Sequence, residues 1–358
     1  MLPVSRRPAV SCKAPAIIRP RGRHNIAGPL QPIPVTGCHG MEVSLLRVDL
    51  QGSADWPLSV RQASLQTSKR LYTWFQGPPT QRCSIDTLQA LADLYEAVAE
   101  AAPTLDVVPM FECAGWSTAA VACLPELTSA ALGAGEKEGT SWVEELNRHR
   151  SDTGLQPVGL TRLPPPPGGS ARQQEQQGGQ PGSSRPVIEL SGRAAAALEF
   201  SDVAVGGTFD NLHAGHRLLL SAAAVVTTET LWLGLTSDAL LASKSNKELL
   251  EPYEERDCNT QAFLQRVRPG LRVSSGPLTD PKELPLAGTM EAMQALVVSR
   301  ETTAGAEWIN SHRQSVGFQA LAVVVVGLIG ATGQQADTKL SSSSLREAKA
   351  AAADSNQG

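Results

Sequence analysis

Two histidines three residues apart, His213 and His216, stand in the stretch GGTFDNLHAGHRLLLS at 206–221. The apolar run VAV precedes it and RLLLSAAAVV closes and extends it, so a strand turns over a glycine pair and enters a helix at the histidines. At such a join the free N–H groups of the first helical turn, and the helix dipole, point outward toward an anion. Gly206 and Gly207 let backbone approach a ligand closely, and Thr208 adds a hydroxyl. Two imidazoles on one helical face could donate hydrogen bonds to phosphate oxygens. A metal pair is the rival reading, yet no third His, Cys or carboxylate at ligand spacing accompanies them. A pair of inert surface histidines at a helix start is the third.

A second polar cluster, KLSSSSLR at 339–346, lies near the other end of the same region. Its serines supply an N-cap and a second helix N-terminus for the segment LREAKAAAA. Arg346 falls in the first turns of that helix, where a cation opposes the dipole unless an anion faces it. Ordinary capping explains such a serine run taken alone. GTFDxxHxGH and KxSSSxxR together on one sheet are far more specific.

Strand–helix alternation is what would bring the two clusters together. Strands are expected at 202–207, 230–236, 271–278, 295–299 and 320–329, with helices at 215–228, 252–268, 301–316 and 344–353. Five such strands imply a doubly wound five-stranded parallel sheet with ligands at the carboxyl ends of the strands. Before it, residues 161–198 contain LPPPPGGSARQQEQQGGQPGSSRP, a low-complexity linker that cannot bury enough apolar surface to fold. Residues 41–160 read as a smaller accessory α/β domain. Strands are expected at 41–50 and 105–112, and helices at 84–102, with Ser84 and Asp86 as candidate caps, and at 141–150. Nothing in that region gathers polar groups into a site, and His149 reads as a surface residue.

The whole chain has 358 residues, a formal net charge of −4 and 41% hydrophobic residues. That charge gives no general reason to expect nucleic acid as a partner. The longest apolar run, LAVVVVGLI at 321–329, falls far short of the roughly 20 residues that span a bilayer. None of the six cysteines forms a CxxC pair, which favours a reducing compartment over a disulfide framework. Residues 1–41 carry six Lys and Arg side chains and no acid. That arm reads as a transit peptide for a mitochondrion or plastid, as a disordered extension of a cytoplasmic protein, or as sequence upstream of a true start at Met41.

Residues 200–354 resemble the nucleotidyltransferase superfamily, and within it the eukaryotic type of phosphopantetheine adenylyltransferase. The resemblance is carried by VAVGGTFDNLHAGH at 203–216, SK at 243–244, ELLEPYEER at 248–256, LVVSRET at 296–302, IN at 309–310 with Arg313, and KLSSSSLR. It implies transfer of an adenylyl group from ATP, accompanied by Mg²⁺, to 4′-phosphopantetheine. It further implies that Gly207, Thr208 and Phe209 line the junction of nucleotide and acceptor, with Thr208, Asp210 and Lys244 on the acceptor side. His216 would stabilise the α-phosphoryl group, with His213 beside it on the ATP phosphates. Ser342, Ser343, Ser344 and Arg346 would hold the triphosphate, and Glu301 and Thr302 would sit at adenine and ribose. Lys247 reads either as a spare cation or as a solvated lysine, and Arg256 as a pocket support or a surface ion pair.

Some positions depart from that pattern. KELPL follows Asp280–Pro281 where the family continues Tyr-Gly-Pro, Gly305–Ala306 replaces a glycine pair, and Ser311 replaces a basic residue. Cytidylyltransferases and nicotinamide-nucleotide adenylyltransferases share the HxGH turn, although the former carry an RTEGIS-like segment where this chain has KLSSSS. Class I aminoacyl-tRNA synthetases pair the turn with a KxSxS loop but need a larger catalytic domain. GATGQQADTK at 330–339 lacks the GK[ST] ending of a Walker loop. A scaffold with a vestigial C-terminal domain is the reading from a different class. Retention of His216 and Lys244 speaks against it.

Overall fold

Runs of fully buried Leu, Val and Ala, broken by amphipathic stretches, build two α/β layers in this computed structural model. It describes residues 41–51, 55–77, 80–133, 139–164, 188–191, 198–242, 244, 246–327, 329, 342, 346 and 347. Outside these lie the basic arm, most of the low-complexity linker, and all of the helix expected at 344–353 except Arg346 and Glu347.

The first layer runs β1 (Met41–Asp49), α1 (Trp56–Gln66), β2 (Thr67–Gln76), α2 (Ile85–Ala101), β3 (Asp106–Met110), α3 (Thr118–Ala122), β4 (Ser129–Leu132), α4 (Gly139–Asp152) and β5 (Gly159–Arg162). Its strands are all parallel, in the order β3-β2-β1-β4-β5. Of the two candidate caps, Ser84 is the one that caps α2, and Asp86 lies in the first turn. Its hydroxyl accepts from the Thr87 amide while the Thr87 hydroxyl accepts from the Ser84 amide, both at 3.3 Å.

The second layer continues with β6 (Glu189–Ser191), β7 (Phe200–Gly207), α5 (Ala214–Val226), β8 (Thr227–Thr236), α6 (Asp238–Leu241), α7 (Tyr253–Val267), β9 (Arg272–Leu278), α8 (Leu286–Thr289), β10 (Ala295–Ser299), α9 (Thr303–Ser315) and β11 (Ala322–Val326). The sheet order is β6-β11-β10-β7-β8-β9. The five expected parallel strands are present, and the short β6 adds an antiparallel edge beside β11. β11 is buried at every position, which explains its unbroken AVVVV.

Helix α5 is apolar on nearly every face, and ten of its 13 residues are buried. A helix of that kind must be covered all round. Its own sheet covers one side and α2 of the first layer packs against it. One apolar core therefore runs through both layers, from Leu45 and Phe75 through Leu91 and Leu218 to Val324. Among the described residues no helix is long and apolar enough to cross a membrane.

Candidate active site

β7 lies at the centre of its sheet, with β8 on one side and β10 on the other. The chain leaves β7 toward β8 and β9, and later returns to the opposite side with β10 and β11. The crevice above β7 and β10 is therefore the switch point of the sheet, where ligands bind in open α/β folds. GTFDNLHAGH leaves the carboxyl end of β7, α6 and Lys244 follow β8, and Glu301 and Thr302 follow β10. The sheet thus brings these sequence-predicted groups to one edge.

The turn after β7 is strained. Phe209 and Asn211 adopt φ of 51° and 47°, in the left-handed region that L side chains rarely enter. Such a conformation persists only where the surroundings over-determine it. Here they do. Asp210 is fully buried. Its carboxylate accepts from the Glu251 amide at 3.0 Å and the Asn211 side chain at 2.9 Å, and pairs with Arg346 at 2.5 Å. Glu251 returns a contact, its Oε2 accepting from the Asn211 amide at 2.8 Å. Arg256, also fully buried, donates to the Thr208 carbonyl at 2.7 Å and the Glu251 carbonyl at 2.9 Å, and pairs with Asp238 at 2.6 Å. Arg256 is thus a support of the turn and not a surface ion pair.

Phe209 folds its buried ring back over Gly207. A β-carbon at 207 would lie 2.9 Å from the ring's Cζ, so any side chain there forces the ring or the turn to shift. The same ring meets His216 edge-on, with centroids 5.4 Å apart. His213 caps α5, its Nδ1 accepting from the Gly215 amide at 3.2 Å, which leaves the proton of the neutral ring on Nε2. The rings of His213 and His216 stack at 3.9 Å, so the two imidazoles form one unit at the helix start. Burial, then His213 and Arg217, hold the half-buried His216 well below the ordinary histidine pKa. It is therefore neutral near pH 7. Its Nδ1 is buried with no hydrogen-bond partner among the described residues.

Ser342 crosses from the far end of the sequence to donate to the Asp210 carbonyl at 2.8 Å. Ser342 and Arg346 are thereby both fastened to the histidine turn, through two contacts to one residue. Ser343 and Ser344 lie outside the described residues. Asp210, expected beside the acceptor, is buried, with its carboxylate engaged by Arg346, the Asn211 side chain and the Glu251 amide. Arg346 is likewise buried, its charge answered by Asp210. Lys244, Glu301 and Thr302 are exposed at the rim, Thr302 donating to the Ser299 carbonyl at 3.1 Å. Glu251 was missed because its partner is a backbone amide 40 residues away, which leaves no pattern along the chain. A cleft of about 280 Å³ beside the turn is lined by Leu241, Ala242, Lys247, Leu250 and Pro252 among others.

A family profile described as cytidylyltransferase-like matches residues 204–348, the stretch that contains every residue of this site. The chain is 41% identical over 153 residues to the phosphopantetheine adenylyltransferase of Saccharomyces cerevisiae, covering 42% of this chain and 49% of that protein. It therefore spans about half the length of its yeast relative. Identity to the enzyme of the same name from Methanothermobacter thermautotrophicus is 40% over 133 residues, covering 37% and 77% of the two chains. For Pyrococcus furiosus the figures are 34% over 152 residues, covering 41% and 88%. Two relatives are thus matched at 34% identity or more over most of their length, and the chain belongs to the phosphopantetheine adenylyltransferase family.

Proposed function

We propose that the second layer transfers the adenylyl group of ATP to 4′-phosphopantetheine, giving dephospho-coenzyme A and pyrophosphate. The acceptor phosphate is already ionised near neutral pH, so its oxygen attacks the α-phosphorus without a general base. The bond from the α-phosphorus to the bridging oxygen breaks, and pyrophosphate leaves with the electron pair. Catalysis then consists of aligning two polyanions and stabilising the charge that develops between them.

The stacked His213–His216 pair at the N-terminus of α5 is the observation that carries this reading. Both rings are donors beside the helix dipole, the arrangement that a pentavalent phosphorus with extra negative charge requires. An anion beside His216 favours its protonated form, so the pKa that burial depresses rises as phosphate binds. Thr208 and Lys244 approach the acceptor phosphate, and Gly207 and Phe209 shape the junction. Ser342, Ser343 and Ser344 would receive the β- and γ-phosphates, with Arg346 acting through its pair with Asp210. Glu301 and Thr302 stand where adenine and ribose are read. Leu241 and Leu250 give the adjoining cleft an apolar wall for the acceptor's arm.

Mg²⁺ enters on the nucleotide. The buried carboxylate of the turn, Asp210, is committed to Arg346, so phosphate oxygens and water would be the ligands of the ion, which would neutralise charge on the leaving pyrophosphate. As a transit peptide the basic segment 1–41 would direct an organellar form of the protein and be removed there, whereas a chain begun at Met41 would be cytoplasmic. Incubation with ATP and 4′-phosphopantetheine should release pyrophosphate and dephospho-coenzyme A in equal amounts. No release above background, or faster turnover with CTP or a nicotinamide mononucleotide, would sink the assignment.

A further inference from the structure

The two layers share a topology. In each sheet the second and third strands lie on one side of the first, and the fourth and fifth on the other, giving β3-β2-β1-β4-β5 and, read the same way, β9-β8-β7-β10-β11. That order recurs in unrelated proteins and alone proves little. Side chains make the comparison specific. Asn147 in α4 brackets Val158, accepting from its amide at 2.8 Å and donating to its carbonyl at 3.2 Å. Asn310 in α9 brackets Leu321 with the same two bonds at the same two distances, and the same 11-residue separation.

Three residues after each asparagine comes a fully buried arginine, in the stretches LNRHR and INSHR. Arg150 Nε donates to the Gln156 carbonyl at 2.7 Å and Arg313 Nε to the Gln319 carbonyl at 2.8 Å, six residues on in both. The remaining nitrogens of each donate to carbonyls in and just after the short helix before the fourth strand. These are Ala122, Leu124 and Leu127 for Arg150, and Ala287, Met290, Glu291 and Met293 for Arg313. A third correspondence is the threonine that opens the second strand. Thr67 and Thr227 each donate to the carbonyl four residues back, Ala63 at 2.7 Å and Ala223 at 2.6 Å.

The anion site is what differs. By strand register, Arg47 and Val48 stand where the catalytic layer has Gly206 and Gly207, and Asp49 where it has Thr208. Counted back from the shared threonines, Trp56 occupies the place of His216. The valine side chain closes the backbone approach, and the aspartate repels phosphate. The first layer nevertheless grips the catalytic helix. Asp106, at the head of β3, pairs with Arg217, the residue after His216, and with Arg70 and Arg266. Arg217 in turn donates from Nε to the Leu212 carbonyl at 3.3 Å, inside the histidine turn. One helical turn along α5, the Tyr95 hydroxyl meets Ser221 Oγ at 3.1 Å.

We propose that the first layer is a second, non-catalytic copy of the nucleotidyltransferase fold, and that it positions α5 through Asp106, which acts on His213 and His216 by way of Arg217. The positioning half rests on the function proposed above. Two measurements on the full-length chain test it. Titration with a non-hydrolysable ATP analogue should give one site per chain; two sites would overturn the non-catalytic copy. Asp106→Asn, with unchanged shape and no charge, should lower kcat about tenfold while KM for ATP moves less than about twofold, since geometry and not binding is lost. It should also displace the ring signals of His213 and His216 in the NMR spectrum, and Asp106→Glu should recover most of the rate. Wild-type kcat and unmoved histidine signals would overturn the positioning role. Should Asp106→Asn fail to fold, Tyr95→Phe decides by the same signals, moved or unmoved. A wild-type chain that makes no dephospho-coenzyme A sinks the proposed reaction, while the titration and histidine signals still judge this inference.

Discussion

Gly207→Ala adds one methyl group to the tightest contact of the site. Its carbon would lie 2.9 Å from Phe209 Cζ and 3.1 Å from both Cε atoms. Such a clash is cheap when a flexible side chain can swing away, and here the ring cannot. Phe209 is fully buried, its backbone is held at positive φ, and its edge rests on His216. The ring must either push His216 off its stacking partner or pull the turn from the Asp210 network. Overpacking of this kind costs about 1–3 kcal/mol. For a chain of 358 residues, at about 2.1 cal/mol/K of unfolding entropy per residue, that corresponds to a fall in Tm of roughly 1–4 °C. A displacement of the imidazole by a few tenths of an ångström up to about 1 Å costs on the order of 10- to 100-fold in kcat. Gly206→Ala is the control, because its added carbon meets only ordinary contacts, Leu278 Cδ1 at 3.5 Å and the Gly234 carbonyl at 3.6 Å. Thermal melts of both variants, with pyrophosphate release for Gly207→Ala, make the comparison. A Gly207→Ala chain with wild-type Tm and kcat, or a Gly206→Ala chain that melts just as early, would refute the steric account.

Three further outcomes follow from the same geometry. His216→Ala should lower kcat by about 10²–10³ with little change in Tm, as for removal of one donor to transition-state charge; near-wild-type turnover would remove His216 from its role. Because His216 is held neutral in the folded chain by burial, and then by His213 and Arg217, the unfolded chain takes up a proton near pH 6.5 that the folded chain does not. Stability present above that pH is therefore lost on acidification below it, by at most about 1.4 kcal/mol per pH unit for one proton. His216→Asn should flatten the fall in Tm between pH 7 and pH 5, and parallel curves would contradict the depressed pKa. Asp210→Asn leaves Arg346 buried without its counter-charge and should cost about 3–5 kcal/mol. Adding Arg346→Gln should restore part of that loss in urea unfolding, whereas strictly additive losses would show that the pair is not coupled.

The periodicity of the second layer was legible because its strands are bounded by turns and α7 and α9 alternate buried apolar with exposed polar positions, although α5 is apolar on nearly every face. In the first layer β2 shows no strand period, since the polar SKR after Thr67 is partly exposed and the buried run LYTWF is only five residues long. The four-residue β4 and β5 are too short to show a period. The histidine and serine clusters could be found from residue type alone. Their fastening could not: Ser342 and Arg346 reach Asp210 across 132 and 136 residues. An aspartate in a glycine-rich turn looks like a substrate contact until its burial is known. The burial of Asp210 is what a single sequence states least directly.

The same asymmetry accounts for the first layer's being read as an accessory domain with no site of its own. Sequence reading starts from histidines, serines and glycines, the residue types that mark an anion site, and those are the ones this layer replaces with Trp56, Val48 and Arg47. What it retains is Asn147 and Arg150, whose partners are backbone carbonyls and one backbone amide. Carbonyl acceptors belong to every residue and impose no sequence pattern, so the bond network persists while the sequence around it drifts. The buried arginines also explain why the two layers diverged so unequally. Removing Arg150 would strand several carbonyls in the core, a cost of about 1–3 kcal/mol for each that finds no water, whether or not the layer binds ATP. Replacing a histidine in a layer that binds nothing costs almost no stability. Selection on folding alone therefore preserves the bracket and erases the site, and the catalytic layer keeps both because it is subject to both demands.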